Sequence, residues 1–204
     1  MHVSFFHRFI LLSVLTAVTL PAWAQMRFQE GFDYKVLAGT PSNKKQIIEF
    51  FSYSCPHCYS LDPIIESYLT DVPAEYAFER IPVSFGRRDW QKSAEVYTLT
   101  GLLGNREALH QKIFKKIHEQ HSPFRNDDDV KSFFIANGVD EKKYDSVASS
   151  FSAKSAFKRN EALAKKFRIS SVPTVIVRDV YEVKLSRVRN AGQLEALVDF
   201  LMRL

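Results

Sequence analysis

Ile47-Ile48-Glu49-Phe50-Phe51-Ser52-Tyr53-Ser54-Cys55-Pro56-His57-Cys58-Tyr59 decides how this chain is read, because an apolar strand runs directly into a C-x-x-C that holds both cysteines. Ile47, Ile48, Phe50 and Phe51 make a near-continuous apolar run, the pattern of a strand buried on both faces of a covered sheet. After Pro56 the period changes. Leu61, Ile64, Ile65, Tyr68 and Leu69 recur at helical spacing, which predicts a helix with the cysteines at its start. A disulfide between Cys55 and Cys58 would close too small a loop to stabilise the chain much. Its value is chemical, as a bond that is made and broken.

The N-terminus fixes the redox setting. Met1 to Arg8 is weakly basic, Phe9 to Leu20 is almost wholly apolar, and Pro21-Ala22-Trp23-Ala24-Gln25 ends in an A-x-A pattern. This predicts a secretory signal peptide over 1–24 and a mature protein beginning near Gln25. An oxidising compartment favours thiol–disulfide chemistry over a structural metal. Zinc closed by protein usually takes four Cys or His ligands, and there is no second cysteine pair. His110, His118 and His121 fall in a strongly polar helical stretch and read as solvated, so no metal site is expected. Haem attachment would need His after the second cysteine, where Tyr59 stands. No cofactor is expected.

After removal of a leader, about 180 residues suit one domain, with room for an insertion and a real core. The net charge is +5, with Lys and Arg interspersed among acids and no nucleic-acid motif, so nucleic-acid binding is not expected.

Along the mature chain, Asp33 to Leu37 reads as a short first strand and Gln46 to Ser52 as the main one. Glu49 is conspicuous inside that apolar run, since a carboxylate there must be paired or have a raised pKa. Pro63 should kink the helix that follows. Tyr76 to Phe85 reads as a further strand, its pairing limited locally by Pro82. From 88 to 167 there is no strand pattern, only helical ones with cap signals at Asn105, Asn126, Asn137-Gly138 and Asp140, then a longer helix from Ser152 to Arg168. Strands resume at Thr174 to Val177 and Tyr181 to Val188, and an amphipathic helix from Ala191 to Leu204 closes the chain. The class is α/β, interrupted by helices.

At a helix start, free N–H groups and the positive end of the dipole would face the Cys55 sulfur and favour thiolate. Pro56 suits the first turn, and His57 adds a donor or positive charge. Cys58, one turn in, should be the more buried. An exposed Cys55 would then form mixed disulfides that Cys58 resolves.

Cys55-Pro56-His57-Cys58 after an apolar strand, a helical insertion, and Ser171-Val172-Pro173-Thr174 before a late strand together resemble the DsbA family of periplasmic thiol oxidases. The resemblance spans the mature chain. It implies a thioredoxin-like fold over 25–87 and 168–204 with an inserted all-helical domain over 88–167. It further implies a periplasmic, monomeric oxidase of reduced exported polypeptides, reoxidised by a quinone-linked membrane partner of the DsbB type. By the same resemblance, Val172-Pro173 is a cis-proline loop where the Val172 backbone pairs with an extended substrate, and Glu49 is a buried acid that tunes or relays the proton of Cys58. Arg80 on the next strand, at a position where relatives often carry Lys, is the expected partner of Glu49, joined by Asp62 from the helix. Because Arg stays charged, no proton transfer is expected at Arg80. Phe51, Tyr53 and Tyr59 flank the motif, where they read as an apolar surface for unfolded substrates or, for most of them, as core or rim packing, and Trp90 begins the insertion as a packing residue. Two other readings stay open: an exported isomerase or reductase on the same fold, and a peptide-binding folding factor whose disulfide is only structural.

Overall fold

The computed structural model describes residues 28–204, so the leader expected over 1–24 lies outside the described residues. Five strands form one sheet in the order β1-β5-β4-β2-β3. They are β1 (Tyr34–Val36), β2 (Gln46–Phe51), β3 (Ala77–Pro82), β4 (Thr174–Val177) and β5 (Tyr181–Val183). Only β2 and β3 run parallel; β4 is antiparallel to both β2 and β5, and β1 to β5. The strand that delivers the cysteines is therefore interior, paired on both sides.

Side chains alternate across a strand, which divides β2 between two faces. Ile47 packs with Val175 and Val177 beneath α1 (Pro56–Asp71) and the C-terminal helix, whose Leu194, Leu197, Val198 and Leu201 are buried. Ile48 and Phe50 face the other way and pack with Ile81, Ile176 and the end of a long helix around Ala164. Glu49 and Phe51 share the parity of Ile47, so the carboxylate points under α1.

Between β3 and β4 lie α2 (Arg88–Leu103), α3 (Arg106–His118), α4 (Asp127–Ala136), α5 (Glu141–Ala148) and α6 (Phe151–Lys166); α7 (Ala191–Arg203) closes the chain. Asn126, Asp140 and Ser150 cap α4, α5 and α6 with side-chain oxygens that accept backbone N–H bonds. The insertion does not keep a separate core. Its buried Tyr97, Ile113, Phe114, Phe124 and Phe134 form one cluster with Phe51, Tyr53, Cys55 and Cys58.

Two sequence expectations are corrected here. The strand expected over Tyr181 to Val188 stops at Val183, and Leu185–Arg187 forms a 3-10 turn. α1 runs from Pro56 through Pro63 to Asp71 as one helix, the N–H that Pro lacks costing a single bond within a helix packed against the sheet. His110 and His118 are not solvated: His110 is 4 % exposed and His118 half-buried.

Candidate functional site

Cys55 is the N-cap of α1 and Pro56 its first residue, so the fixed φ of Pro starts the helix where its missing N–H costs nothing. Both sulfurs are thiols. Contrary to expectation, Cys55 is nearly as buried as Cys58, at 4 % against 1 % exposed. The loop before β4 lies against it: the Cys55 thiol donates to the Val172 carbonyl oxygen at 3.5 Å. The Val172–Pro173 peptide is cis. Pro56 and His57, in contrast, are exposed beside the cysteine pair.

The two thiols have opposite electrostatics. Cys55 is lowered from an ordinary 9.0 to about 6, chiefly by the hydrogen bond from the Cys58 thiol, against burial, and with help from the backbone N–H groups of Cys58 and His57 and the His57 charge. Cys58 is raised, first by burial and then by its bond to Cys55; the Ser52 N–H, 3.5 Å from its sulfur, opposes the rise only in part. The helix start thus accommodates one negative charge, on Cys55.

Beneath the pair, Glu49 is 2 % exposed, and burial raises its pKa against the pull of Arg80. Arg80 Nε donates to Glu49 at 2.7 Å, Nη1 to Glu66 at 2.7 Å and Nη2 to Asp62 at 3.2 Å. The partnership expected from the sequence, Glu49 with Arg80 and Asp62, is therefore present, enlarged by Glu66.

Sequence reasoning missed the other half of this cluster. His110 Nε2 lies 2.7 Å from Asp62 Oδ1, its Nδ1 lies 2.8 Å from the Tyr53 hydroxyl, and Gln111 Nε2 donates to Asp62 Oδ2. The signal was present. His110 stands three and four positions before the buried Ile113 and Phe114, on the apolar stripe of α3. Two turns later His118 Nε2 lies 2.7 Å from the Tyr53 carbonyl oxygen, and its ring stacks on Tyr59 at 4.8 Å. Tyr53, two residues before Cys55, is thereby gripped at hydroxyl and carbonyl by one helix. Ser54 and Ser93 add a hydroxyl pair at 2.6 Å between the same loop and α2. Asp62, Glu66 and His110 bring oxygen and nitrogen ligands within 4.8 Å of one another, but the Arg80 guanidinium already bonds both carboxylates and opposes a cation there. Trp90 sits at the rim beneath the Arg87 guanidinium, 4.7 Å away, and packs against the cluster that contains both cysteines.

Comparison with known proteins agrees on one family. The family model of the DSBA-like thioredoxin domain matches residues 46–201. The thiol:disulfide interchange protein DsbA of Burkholderia cepacia is 30% identical over 199 residues, covering 95% of this chain and 93% of that protein. That of Pseudomonas aeruginosa is 28% identical over 159 residues, 78% of this chain and 75% of the relative. Among solved structures, Pseudomonas aeruginosa DsbA aligns with a TM-score of 0.77 at 27% identity, covering 86% of this chain and 93% of that one. Proteus mirabilis DsbA, solved with a non-covalently bound peptide, shares the fold with a TM-score of 0.75 at 24% identity, covering 87% of this chain and 97% of its own.

Proposed function

The chain belongs to the DSBA-like thioredoxin family and is a thiol:disulfide oxidoreductase, and on that premise we propose that it works as an oxidase, donating a Cys55–Cys58 disulfide to exported, folding polypeptides. The observation that carries this direction is the opposed pair of thiols: Cys55 held low at about 6, Cys58 held high by burial. A thiolate stabilised only in the reduced protein makes reduction favourable and the disulfide reactive.

In this reading a substrate thiolate attacks the Cys55 sulfur, and the bond to Cys58 breaks with its electron pair on Cys58. The second substrate thiolate then displaces Cys55, the better leaving group because its thiol is the more acidic. Pro56 fixes the helix start, and His57 contributes charge from the rim. Val172 and Pro173 form the opposite wall, where the Val172 backbone would pair with an extended peptide. Glu49, behind the pair, would take part in the proton balance of Cys58. The leader over 1–24 would place the protein in the periplasm, as a monomer reoxidised by a quinone-linked membrane partner of the DsbB type.

The test is transfer. Oxidised protein mixed with a reduced, unfolded polypeptide should lose its disulfide as the polypeptide gains one. Cys55→Ala should abolish transfer; Cys58→Ala, which has no internal disulfide to give, should also fail to oxidise the polypeptide, but its Cys55 thiolate should be trapped as a mixed disulfide when mixed with a polypeptide that already carries a disulfide. Equilibration with glutathione should leave most of the protein reduced at redox ratios where ordinary structural disulfides stay formed. A strongly reducing equilibrium would overturn the oxidase direction in favour of a reductase. Full activity of Cys55→Ala would overturn thiol exchange altogether.

A further inference from the structure

Two buried carboxylates, Glu49 and Asp62, share the Arg80 guanidinium with the half-exposed Glu66. One fixed positive charge cannot balance two buried negative ones, and buried charge without a partner is costly. His110 supplies the remaining possibility. Its Nε2 is 2.7 Å from Asp62 Oδ1 and 3.8 Å from Glu66 Oε1, and its charge acts on Glu49 in the direction that favours ionisation. Gln111, the other group from α3 on Asp62, is a neutral donor.

The far side of the His110 ring is built for both protonation states. Nδ1 lies 2.8 Å from the Tyr53 hydroxyl, which burial keeps neutral. A neutral phenol donates to a bare ring nitrogen or accepts from a protonated one, so neither state of His110 loses a hydrogen bond. The charges facing His110 come from α1 (Asp62, Glu66), β2 (Glu49) and β3 (Arg80). From α2 comes the Tyr97 phenol, its ring beside Tyr53 and covered by the Arg106 guanidinium of α3.

We propose that His110 is a positioning residue of the disulfide chemistry, holding jointly with Glu49 one proton that balances the buried carboxylates and is drawn on when Cys58 leaves as a thiolate. The inference rests on the thiol-exchange reading above. When a substrate thiolate forms a bond to the Cys55 sulfur, the electron pair of the broken disulfide goes to Cys58, and Cys58 takes the cluster's proton from the Glu49 carboxyl. The cluster, one proton short, regains it from solvent on His110, whose Nδ1 takes the proton as the Tyr53 hydroxyl turns from donor to acceptor. Over the full exchange the substrate dithiol loses two electrons and two protons. The electrons reduce the disulfide, one proton resides on Cys58, and the other is released as Cys55 stays a thiolate.

The experiment measures the rate at which a reduced dithiol peptide opens the oxidised protein's disulfide, from about pH 5 to about pH 8, in the full chain. His110→Gln keeps a neutral donor and acceptor but cannot hold the proton. The expected result is a rate about 3- to 10-fold lower near pH 6 with a flattened pH profile, an effect absent when the substitution is added to Glu49→Gln. A His110→Gln profile parallel to wild type, with only a lowered melting temperature, would overturn the proposal, as would a full additional loss in the Glu49→Gln background. The wild-type protein provides an independent check through ring-nitrogen chemical shifts. A His110 ring whose protonation does not change across this pH range in either redox form overturns the proposal; a ring that gains a proton as pH falls supports it. Absence of any exchange by wild-type protein would instead refute the functional reading on which the proposal stands.

Discussion

Glu49 and Arg80 stand opposite each other in the register of β2 and β3, and their side chains close a 2.7 Å ion pair on the face covered by α1. Removing the cation would strand Glu49 and Asp62 inside the protein. Arg80→Met should cost about 3–5 kcal/mol in urea unfolding near neutral pH. The loss should shrink toward acid, because burial raises the Glu49 pKa and protonation then removes its uncompensated charge. Arg80→Lys, able to keep charge but not three separate contacts, should fall between. Unchanged stability in Arg80→Met would deny the network its structural role.

The Cys55 pKa of about 6, against an ordinary 9.0, links redox state to pH. A lowered thiol stabilises the folded, reduced protein fully above the unfolded value, and the contribution disappears as pH falls through about 6. The oxidised protein has no such thiol. The melting temperature of the reduced form, relative to the oxidised form, should therefore rise from about pH 5 to about pH 8. Thiolate ultraviolet absorbance should titrate near 6; a midpoint near that of free cysteine would remove the mechanism.

His57 contributes to that low value in two ways, by its backbone N–H and by its imidazole. His57→Leu removes only the second. The Cys55 midpoint should rise by roughly half to one pH unit. A return to the free-thiol value would mean that the N–H groups and the Cys58 thiol contribute nothing, and no rise at all would exclude the imidazole.

Phe51 belongs to the sheet by sequence and to the helical insertion by packing, its ring within 5.1–6.3 Å of the rings of Tyr53, Tyr97, His110 and Phe114. Phe51→Ala should cost about 3–5 kcal/mol. Because one cluster spans both parts, unfolding followed by Trp90 fluorescence, in protein beginning at Gln25 and so without Trp23, should coincide with unfolding followed by circular dichroism. Separate transitions would show that the insertion is an independent unit.

The legible parts of this protein were those written in contiguous residues. The strand into C-x-x-C, the helix start at Pro56, the caps at Asn126 and Asp140, and β4 over Thr174–Val177 follow from local pattern. The Glu49–Arg80 pair was legible too, since an acid in an apolar strand requires a partner. What escaped depended on how the insertion docks. The place of Val172 beside Cys55, 117 residues earlier, was legible only through the family resemblance and not from any pattern local to Cys55. His110 was misread because its polar neighbours in sequence outvoted its place on the stripe of Ile113 and Phe114, and a stripe names a buried face without naming what lies across it. The short β5 escaped for a similar reason: Tyr181 to Val188 alternates acceptably for a strand, but β1, its partner, is only three residues long.

That shortness has a bearing on solubility. Unfolded polypeptides add readily to exposed sheet edges, so a protein that meets them constantly risks recruiting them backbone to backbone. Here the two outer strands make poor templates. β1 offers three residues, and β3 ends at Pro82 with Glu79 clamped by Arg159 from α6 at 2.7 Å. The reactive strand β2 has neighbours on both sides and no edge to offer. If the protein acts on unfolded chains as proposed, an arrangement that confines contact with them to the mouth beside Val172 would protect the sheet from co-aggregating with its own substrates.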